Sequence, residues 1–106
     1  MVSRVDAASA LADLTEISSH VEAAAIFHGG DVLAATPGGE RLAAGLDLLR
    51  AAEERLGRAP VHVEAALREG SLFALRDGDR AIVARTAPRP PSALVLHDLG
   101  ACLRDA

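Results

Sequence analysis

The residues best suited to chemistry in this 106-residue sequence are a histidine and a carboxylate two positions apart, in the segment VHVE at 61–64. Because side chains alternate between the two faces of a β-strand, His62 and Glu64 would point to the same face and could pair there. The His-x-Glu spacing also begins the zinc-deaminase signature, but that signature requires a later PCxxC run, which the sequence lacks. Two ligands do not make a metal site. We expect an exposed polar pair on a strand, with no catalytic or metal-binding role.

The single cysteine, Cys102, is the second candidate for chemistry. A cysteine nucleophile needs a base within hydrogen-bonding reach, and His97 lies five residues earlier, a spacing that does not share a helix face well. Leu99 and Leu103 lie close to Cys102 in the sequence, a pattern typical of a small core residue. One cysteine also excludes an internal disulfide and a CxxC motif, and no serine lies in a GxSxG setting. The sequence predicts no catalytic residue and no enzyme.

Two Gly-Gly pairs, in HGGD at 28–31 and TPGGE at 36–40, raise the alternative of a phosphate-binding loop. A strand, a glycine-rich turn and a helix N-terminus can hold an anion through backbone N–H groups. The phosphate loop of the GxxxxGK[ST] type requires a lysine, however, and the sequence contains none. We therefore interpret both pairs as structural turns and expect no cofactor.

The composition indicates one domain, residues 1–106, with an aliphatic core. Half of the residues are hydrophobic, and the only aromatic residues are Phe27 and Phe73, which argues against a ring-lined pocket or a base-stacking surface. The formal net charge of -4 argues against a nucleic-acid partner. No stretch approaches the roughly 20 apolar residues of a membrane span, and none resembles a signal peptide. We expect a cytoplasmic protein without direct membrane insertion.

The sequence up to residue 36 predicts a helix and a hairpin. Residues 4–19 show an amphipathic helical pattern of apolar and acidic residues. The positions expected to face the core are Val5, Ala8, Leu11, Leu14 (or Ala12), and Ile17 or Ser18. Two short runs, 21–27 and 32–36, follow on either side of HGGD and predict a β-hairpin. Neither run alternates cleanly, which indicates a sheet covered on both faces.

A long helix is predicted over residues 39–56, with Gly57 as its left-handed C-cap residue. Two groups of positions could pack against neighbours. The first is an apolar stripe of Leu42, Leu46, Leu49 and Leu56, and the second is a shoulder of Ala44, Leu48, Ala51, Ala52 and Arg55. One stripe is enough for a globular helix, so the shoulder could accept another helix closely, although alanine is also simply the best helix former.

The second half of the sequence predicts a three-stranded meander and a last helix. The strands are expected at 61–68, 71–76 and 80–87, with turns at Glu69-Gly70 and Asp77-Gly78-Asp79. The run PRPP ends the meander, and Ser92 can start the last helix. The order helix, two strands, helix, three strands, helix predicts an α+β sandwich with helices on both faces of an antiparallel sheet.

The feature that remains after these exclusions is an interaction surface. The strand at 61–68 begins the meander and carries polar residues on one face, so it could lie at a sheet edge, where exposed backbone groups invite pairing with another chain. Two copies could then pair strand to strand and helix to helix around a twofold axis. In a monomer, Glu64 and Arg68 would instead blunt that edge. The residues alone leave both alternatives open.

The chain as a whole resembles the roadblock family of dynein light chains and bacterial GTPase regulators. The resemblance covers residues 4–104. It rests on the element order and on three segments: VEAAAIFHGGDVLA, VHVEAALREGSLFALRDGDRAIVA and PSALVLHDLGACL. It implies an α-β-β-α-β-β-β-α sandwich, in which a five-stranded antiparallel sheet carries the long helix on one face and the two terminal helices on the other.

The resemblance also implies a function. Roadblock proteins are expected to be non-enzymatic homodimers that join their third strands into one ten-stranded sheet and pack their middle helices together. In this sequence that implies a dimer interface near Ala44, Leu48, Ala51, Arg55, His62, Glu64 and Ala66. The expected partner is a small Ras-like GTPase, bound by a scaffold or by a protein that modulates GTP hydrolysis, and no residue can be assigned a catalytic role.

Three alternatives remain. A small-ligand sensor of PAS-like shape would need a pocket and usually has several short helices between its second and third strands, where this sequence predicts one long helix. An enzyme would need an assembled active site around residues such as His62 or Glu64. A structural adaptor unrelated to GTPases would share the fold but have another partner.

Overall fold

The computed structural model describes residues 4–57 and 62–106. Within these ranges the elements follow the predicted order. They are α1 (Arg4–Ile17), β1 (Val21–His28), β2 (Asp31–Ala35), a short 3-10 helix (Gly39–Ala43), α2 (Ala44–Leu56), β3 (His62–Leu67), β4 (Gly70–Asp77), β5 (Arg80–Thr86) and α3 (Ser92–Asp105). Val61, the expected first residue of the third strand, lies outside the described residues, as does the side chain of Val5.

The strands of the described residues form one antiparallel sheet in the order β2-β1-β5-β4-β3. The edges are therefore β2 and β3, and the edge position expected for the third strand is confirmed. The register of β1 against β2 shifts between Ile26 and Phe27, which is typical of a β-bulge. The pairing of β3 with β4 is regular, with Glu64 opposite Phe73.

Both faces of the sheet are covered by helices. On one face α1 and α3 pack on Ile26, Phe73 and Ile82, and on the other face α2 packs on Phe27 and Val83. Full burial of one large apolar side chain contributes roughly 1.5–3 kcal/mol. The two aromatic residues lie in different layers, Phe73 under α1 and α3 and Phe27 under α2. The predicted α+β sandwich, with the long helix opposite the two terminal helices, is confirmed.

The turns follow from glycine, with one difference from expectation. Gly29 and Gly30 have φ values of 57° and 96°, the left-handed conformation that tight hairpins require, and they join β1 to β2 as predicted. The turn between β3 and β4 consists of Arg68 and Glu69, and Gly70 is already the first residue of β4. A side chain at Gly70 would collide with the backbone carbonyl of Thr86. This glycine is needed for close strand packing, and the predicted Glu69-Gly70 turn was one residue too late.

The buried face of α1 agrees with the expected stripe at Leu11 and Leu14 but differs from it on either side. Ala7, Ala10, Leu11 and Leu14 are buried, whereas Ala8 is exposed and Ile17 is 74% exposed. The helix α1 contacts both the sheet and α3, so its buried face includes residues that point toward each of them. The helix ends at Ile17, two residues early, and Ser18 is buried beyond it.

The long helix begins more tightly than predicted and ends as predicted. Residues 39–43 form a 3-10 helix, and the α-helix proper runs from Ala44 to Leu56. Gly57 has a φ of 72° and donates its backbone N–H to the carbonyl oxygen of Glu53 at 2.9 Å, which confirms the C-cap. Leu49 is fully buried, but Leu56 is 59% exposed. The assignment of Leu56 to the core stripe was wrong, because this last residue of α2 lies where the chain leaves the helix and remains open to solvent.

Candidate dimer and partner interface

The outer face of α2 is a ridge of two alanines, a leucine and an arginine that the described chain leaves exposed or half-exposed. Ala44, Ala51 and Arg55 are exposed, and Leu48 is half-buried. These residues are four of the five members of the shoulder expected from the sequence, and the fifth, Ala52, is half-buried. Small side chains let the backbone of a second helix approach closely.

The opposite face of α2 is held against the sheet by two contacts. Gly45 is buried against Val83, and a side chain at this position would collide with the Val83 methyl groups. Near the C-terminal end of the helix, Arg76 Nη1 of β4 lies 3.7 Å from Glu53 Oε2. Both groups are partly exposed, so the ion pair contributes at most about 1 kcal/mol. These contacts fix which face of α2 points away from the sheet.

The strand β3 offers a free backbone edge beside this helix. Among the described strands it pairs with β4 alone, so half of the backbone hydrogen-bonding groups of this six-residue strand face away from the sheet. Val63 and Ala65 are half-buried, and Val63 packs in the layer under α2. The edge therefore continues directly from the part of the sheet that α2 covers.

The other three candidate residues of β3 lie on the α1/α3 face of the sheet. His62, Glu64 and Ala66 are exposed, and they stand opposite Leu75, Phe73 and Ser71 of β4. Directly opposed residues of an antiparallel pair share a face, and Phe73 belongs to the layer covered by α1 and α3. The α2 ridge and these three side chains thus lie on opposite faces, with the backbone edge of β3 between them.

Glu64 has a partner that the sequence did not indicate. Ser92 Oγ, at the first residue of α3, donates a 2.9 Å hydrogen bond to Glu64 Oε2. A carboxylate at a helix N-terminus is also favoured by the helix dipole. The proposed pairing of Glu64 with His62 is not among the hydrogen bonds and ion pairs of the described residues. No local pattern could have identified Ser92, because it lies 28 residues away.

The chemistry available to the described residues is limited. They contain no group of three or more His, Cys, Asp or Glu side chains placed to hold a metal ion. Burial, with the charges of Asp105 and Asp13, raises the pKa of Cys102 to about 12. The thiol is therefore protonated at neutral pH and is a poor nucleophile. Its burial in the core confirms the expectation from Leu99 and Leu103.

The larger cavities among residues 4–57 and 62–106 are open grooves and not the deep apolar pocket that a PAS-like sensor would need. A groove of about 510 Å³ between β4 and α3 opens to solvent; its floor includes Leu75, Leu96 and Leu103, and its rim includes Asp77 and Arg104. A second cavity, of about 250 Å³, lies between α2 and the tips of two hairpins, with Arg50 and Asp79 in its wall. Ligand sites that bury most of a small molecule are more enclosed.

The architecture matches solved structures. The chain superposes on a Roadblock/LC7 domain from Streptomyces avermitilis with a TM-score of 0.73 and 18% identity, covering 99% of this chain and 100% of that domain. The chain has the roadblock fold. It also superposes on MglB from Myxococcus xanthus with a TM-score of 0.75 and 10% identity, covering 96% of this chain and 85% of that one. The superposition on the gliding protein MglB from Thermus thermophilus has a TM-score of 0.65 and 15% identity, and it covers 97% of this chain and 92% of that one.

The likeness to these roadblock domains is one of structure. No protein-family model and no curated protein matches the sequence. Identities of 10–18% establish the roadblock fold, and they agree with the resemblance read from the sequence. In the described residues, no helix is both long and apolar enough to cross a membrane.

Proposed function

We propose that this chain is a non-enzymatic, homodimeric regulator or scaffold that binds a small Ras-like GTPase in the cytoplasm. The observation that carries the proposal is that the free edge strand β3 contacts α2, the helix whose Ala44, Ala51 and Arg55 are exposed. One surface therefore offers both strand pairing and close helix packing. These are the two contacts that the roadblock resemblance implies for a dimer.

The geometry supports a twofold dimer in the following way. Antiparallel pairing of two β3 strands would satisfy the backbone groups that face away from the sheet. The same operation brings two copies of α2 together on one face of the joined sheet, because α2 covers the layer that reaches β3. Ala44, Leu48 and Ala51 would form the close contact. A twofold interface is self-complementary, so one patch serves both subunits.

The other residues of the proposed interface have different roles. Arg55 is exposed near the C-terminal end of α2, where a cation is favoured by the helix dipole. His62, Glu64 and Ala66 project from β3 on the face opposite α2, so pairing of two β3 strands would bring each next to side chains of the second copy. They would contribute cross-strand contacts and not helix packing.

The proposal that the partner is a small GTPase is supported by the fold together with the resemblance to the roadblock family. Roadblock proteins are expected to act as scaffolds or modulators of small GTPases, and two of the structural neighbours are MglB proteins. Joining two α2 helices would produce a continuous helical surface of exposed residues on one side of the sheet. We place the GTPase on this surface. Modulation of hydrolysis would then act through the switch loops of the bound GTPase.

Two measurements test the proposal. Size-exclusion chromatography with light scattering at micromolar concentration should give a mass near twice that of the 10.9 kDa chain, and a monomer would contradict the dimer. Pull-down with a small GTPase loaded with GTP or with GDP should then show binding of the GTP form. A dimer that binds neither form would be a structural adaptor in another complex.

A further inference from the structure

The seam between α1 and α3 is a narrow groove on the side of the sheet away from α2. Its floor is apolar and consists of Ala10, Leu14, Ala101 and Cys102. Its volume is about 60 Å³, which is too small for a drug-sized ligand. It is instead the furrow between two packed helices, into which side chains of a third helix can insert.

The walls of this seam are acidic. Asp13 of α1 and Asp98 and Asp105 of α3 line it, and none of the lining residues that the structure describes is cationic. The side chain of Asp98 is only 13% exposed, and the exposed His97 Nδ1 lies 3.5 Å from its Oδ1. Arg104 lies in the groove on the other side of α3, against Leu75. Nothing described within the seam therefore offsets the charges of Asp13 and Asp105.

Large apolar side chains extend from the same seam into solvent. Ile17 lines one end of it and is 74% exposed. Leu94 is 48% exposed and lies one helical turn before Asp98, on the same face of α3. These are two of the four large hydrophobic residues that the described part of the chain leaves exposed. Ile17 and Leu94 thus add exposed apolar surface beside the acidic walls of the seam.

We propose that the α1/α3 seam is a docking surface for a basic amphipathic helix of a partner protein. The apolar face of that helix would pack on the exposed side chains of Ile17 and Leu94. Its arginine or lysine side chains would pair with Asp13, Asp98 and Asp105. This is the helix-in-groove mode of recognition, with anchors at helical spacing.

The charge pattern selects this occupant over two others. A second copy of the same face would bring carboxylates against carboxylates, which is unfavourable. A nucleic acid would bring phosphates against them. The surface is also separate from the proposed dimer interface, because α1 and α3 cover one face of the sheet and α2 the other. The inference therefore does not depend on dimerisation or on a GTPase.

The test uses a synthetic helical peptide with leucines on one face and arginines beside them. A second peptide with glutamates in place of the arginines is the matched probe. Fluorescence anisotropy should show salt-sensitive binding of the arginine peptide and none of the glutamate peptide. Replacement of the three seam carboxylates (D13N, D98N and D105N together) should weaken binding by about tenfold or more. A control protein with D31N, E40Q and E69Q, three exposed carboxylates outside the seam, should bind as the wild type does.

Cys102 provides a readout that reports position as well as affinity. It is the single cysteine and is buried between α1 and α3, so a thiol reagent reaches it when these helices separate. A helix bound across the seam should oppose that separation and slow the reaction. Equal loss of binding in the control protein, or an unchanged Cys102 reaction rate with peptide bound, would overturn the proposal. If the triple variant does not fold, the exposed single changes Asp13→Asn and Ile17→Ser carry the same test. The A51R variant on the α2 ridge should bind the peptide normally, which separates this result from any failure of the proposed dimer.

Discussion

Ser92 Oγ and Glu64 Oε2 are 2.9 Å apart, and their hydrogen bond joins the start of α3 to the middle of the edge strand β3. We expect Glu64→Ala to lower the free energy of unfolding by about 0.5–1.5 kcal/mol, because the hydroxyl then loses its acceptor. Glu64→Gln should restore most of this loss, since an amide oxygen can also accept. Urea denaturation measures each value.

The interaction free energy between the side chains of Ser92 and Glu64 can be measured by a double-mutant cycle. Ser92→Ala, Glu64→Ala and the double variant should show a coupling above about 0.5 kcal/mol if the two groups interact in solution. Glu69→Ala, at an exposed carboxylate in the β3–β4 turn, is the control and should change stability by no more than about 0.5 kcal/mol. Additive effects at Ser92 and Glu64 would contradict the hydrogen bond.

Replacement of two helical glycines by alanine should change the stability of the fold in opposite directions. At Gly45 the new methyl group would collide with the side chain of Val83, so we expect Gly45→Ala to destabilise the fold by about 1–3 kcal/mol. At Gly100 the methyl group would meet Arg104 Nη1 at 3.4 Å and Leu75 Cδ2 at 3.7 Å, which are ordinary contacts. Gly100→Ala should therefore stabilise α3 by up to about 1 kcal/mol. Thermal unfolding of both variants and of the wild type measures these changes in stability. A stabilised Gly45→Ala variant would mean that α2 lies farther from β5.

Cys102 should make the protein less stable in alkaline solution. Its pKa is about 12 in the folded chain against an ordinary value of 9.0, so above pH 9 the unfolded chain loses the thiol proton and the folded chain keeps it. Unfolding is then favoured as pH rises, by at most about 1.4 kcal/mol for each pH unit up to the folded pKa. The sequence contains no lysine or tyrosine, so few other side chains titrate in this range.

Denaturation of the wild type and of Cys102→Ala, at neutral pH and at about pH 10, isolates this effect. The alanine variant should lose most of the alkaline slope, although it starts from a lower stability because a buried group has been removed. Replacement of Asp105 by asparagine should reduce the slope partly, because its charge is one cause of the raised pKa. An identical slope in the wild type and Cys102→Ala would refute the assignment.

The α2 ridge should be sensitive to bulk and charge. We expect Ala51→Arg to weaken the proposed dimer by about tenfold or more, since two guanidinium groups would be forced together near the twofold axis. Ala12→Arg, at an exposed alanine of α1, is matched in chemistry and should leave the mass unchanged. Sedimentation or light scattering over a dilution series compares them. Equal behaviour of both variants would exclude α2 from the interface.

The sequence predicted most of the architecture because local signals agreed with the tertiary structure. The Gly29-Gly30 turn and the leucine spacing around Leu49 each identify an element from its own residues. The failures occur at helix ends, where helical spacing continues but the packing does not. Ile17 and Leu56 are apolar and at helical spacing, but each is the last residue of its helix and remains exposed.

The candidate surfaces were predicted to different degrees. The small residues of the α2 shoulder could be found by elimination, since one apolar stripe was already enough for the core. The bond from Ser92 to Glu64 and the meeting of Asp13 with Asp98 and Asp105 depend on how separate elements pack. Periodicity within one element contains no information about such contacts.

The two edges of the sheet differ in a way that controls how far it can grow. The edge strand β2 has five residues, begins with a charged residue, Asp31, and pairs with β1 through a register shift, features that discourage addition of a further strand. The strand β3, in contrast, pairs with β4 in a regular register without a shift. If the proposed pairing occurs through β3, only one edge of each sheet is receptive, so self-association would end after a single round and give a closed particle instead of a fibre.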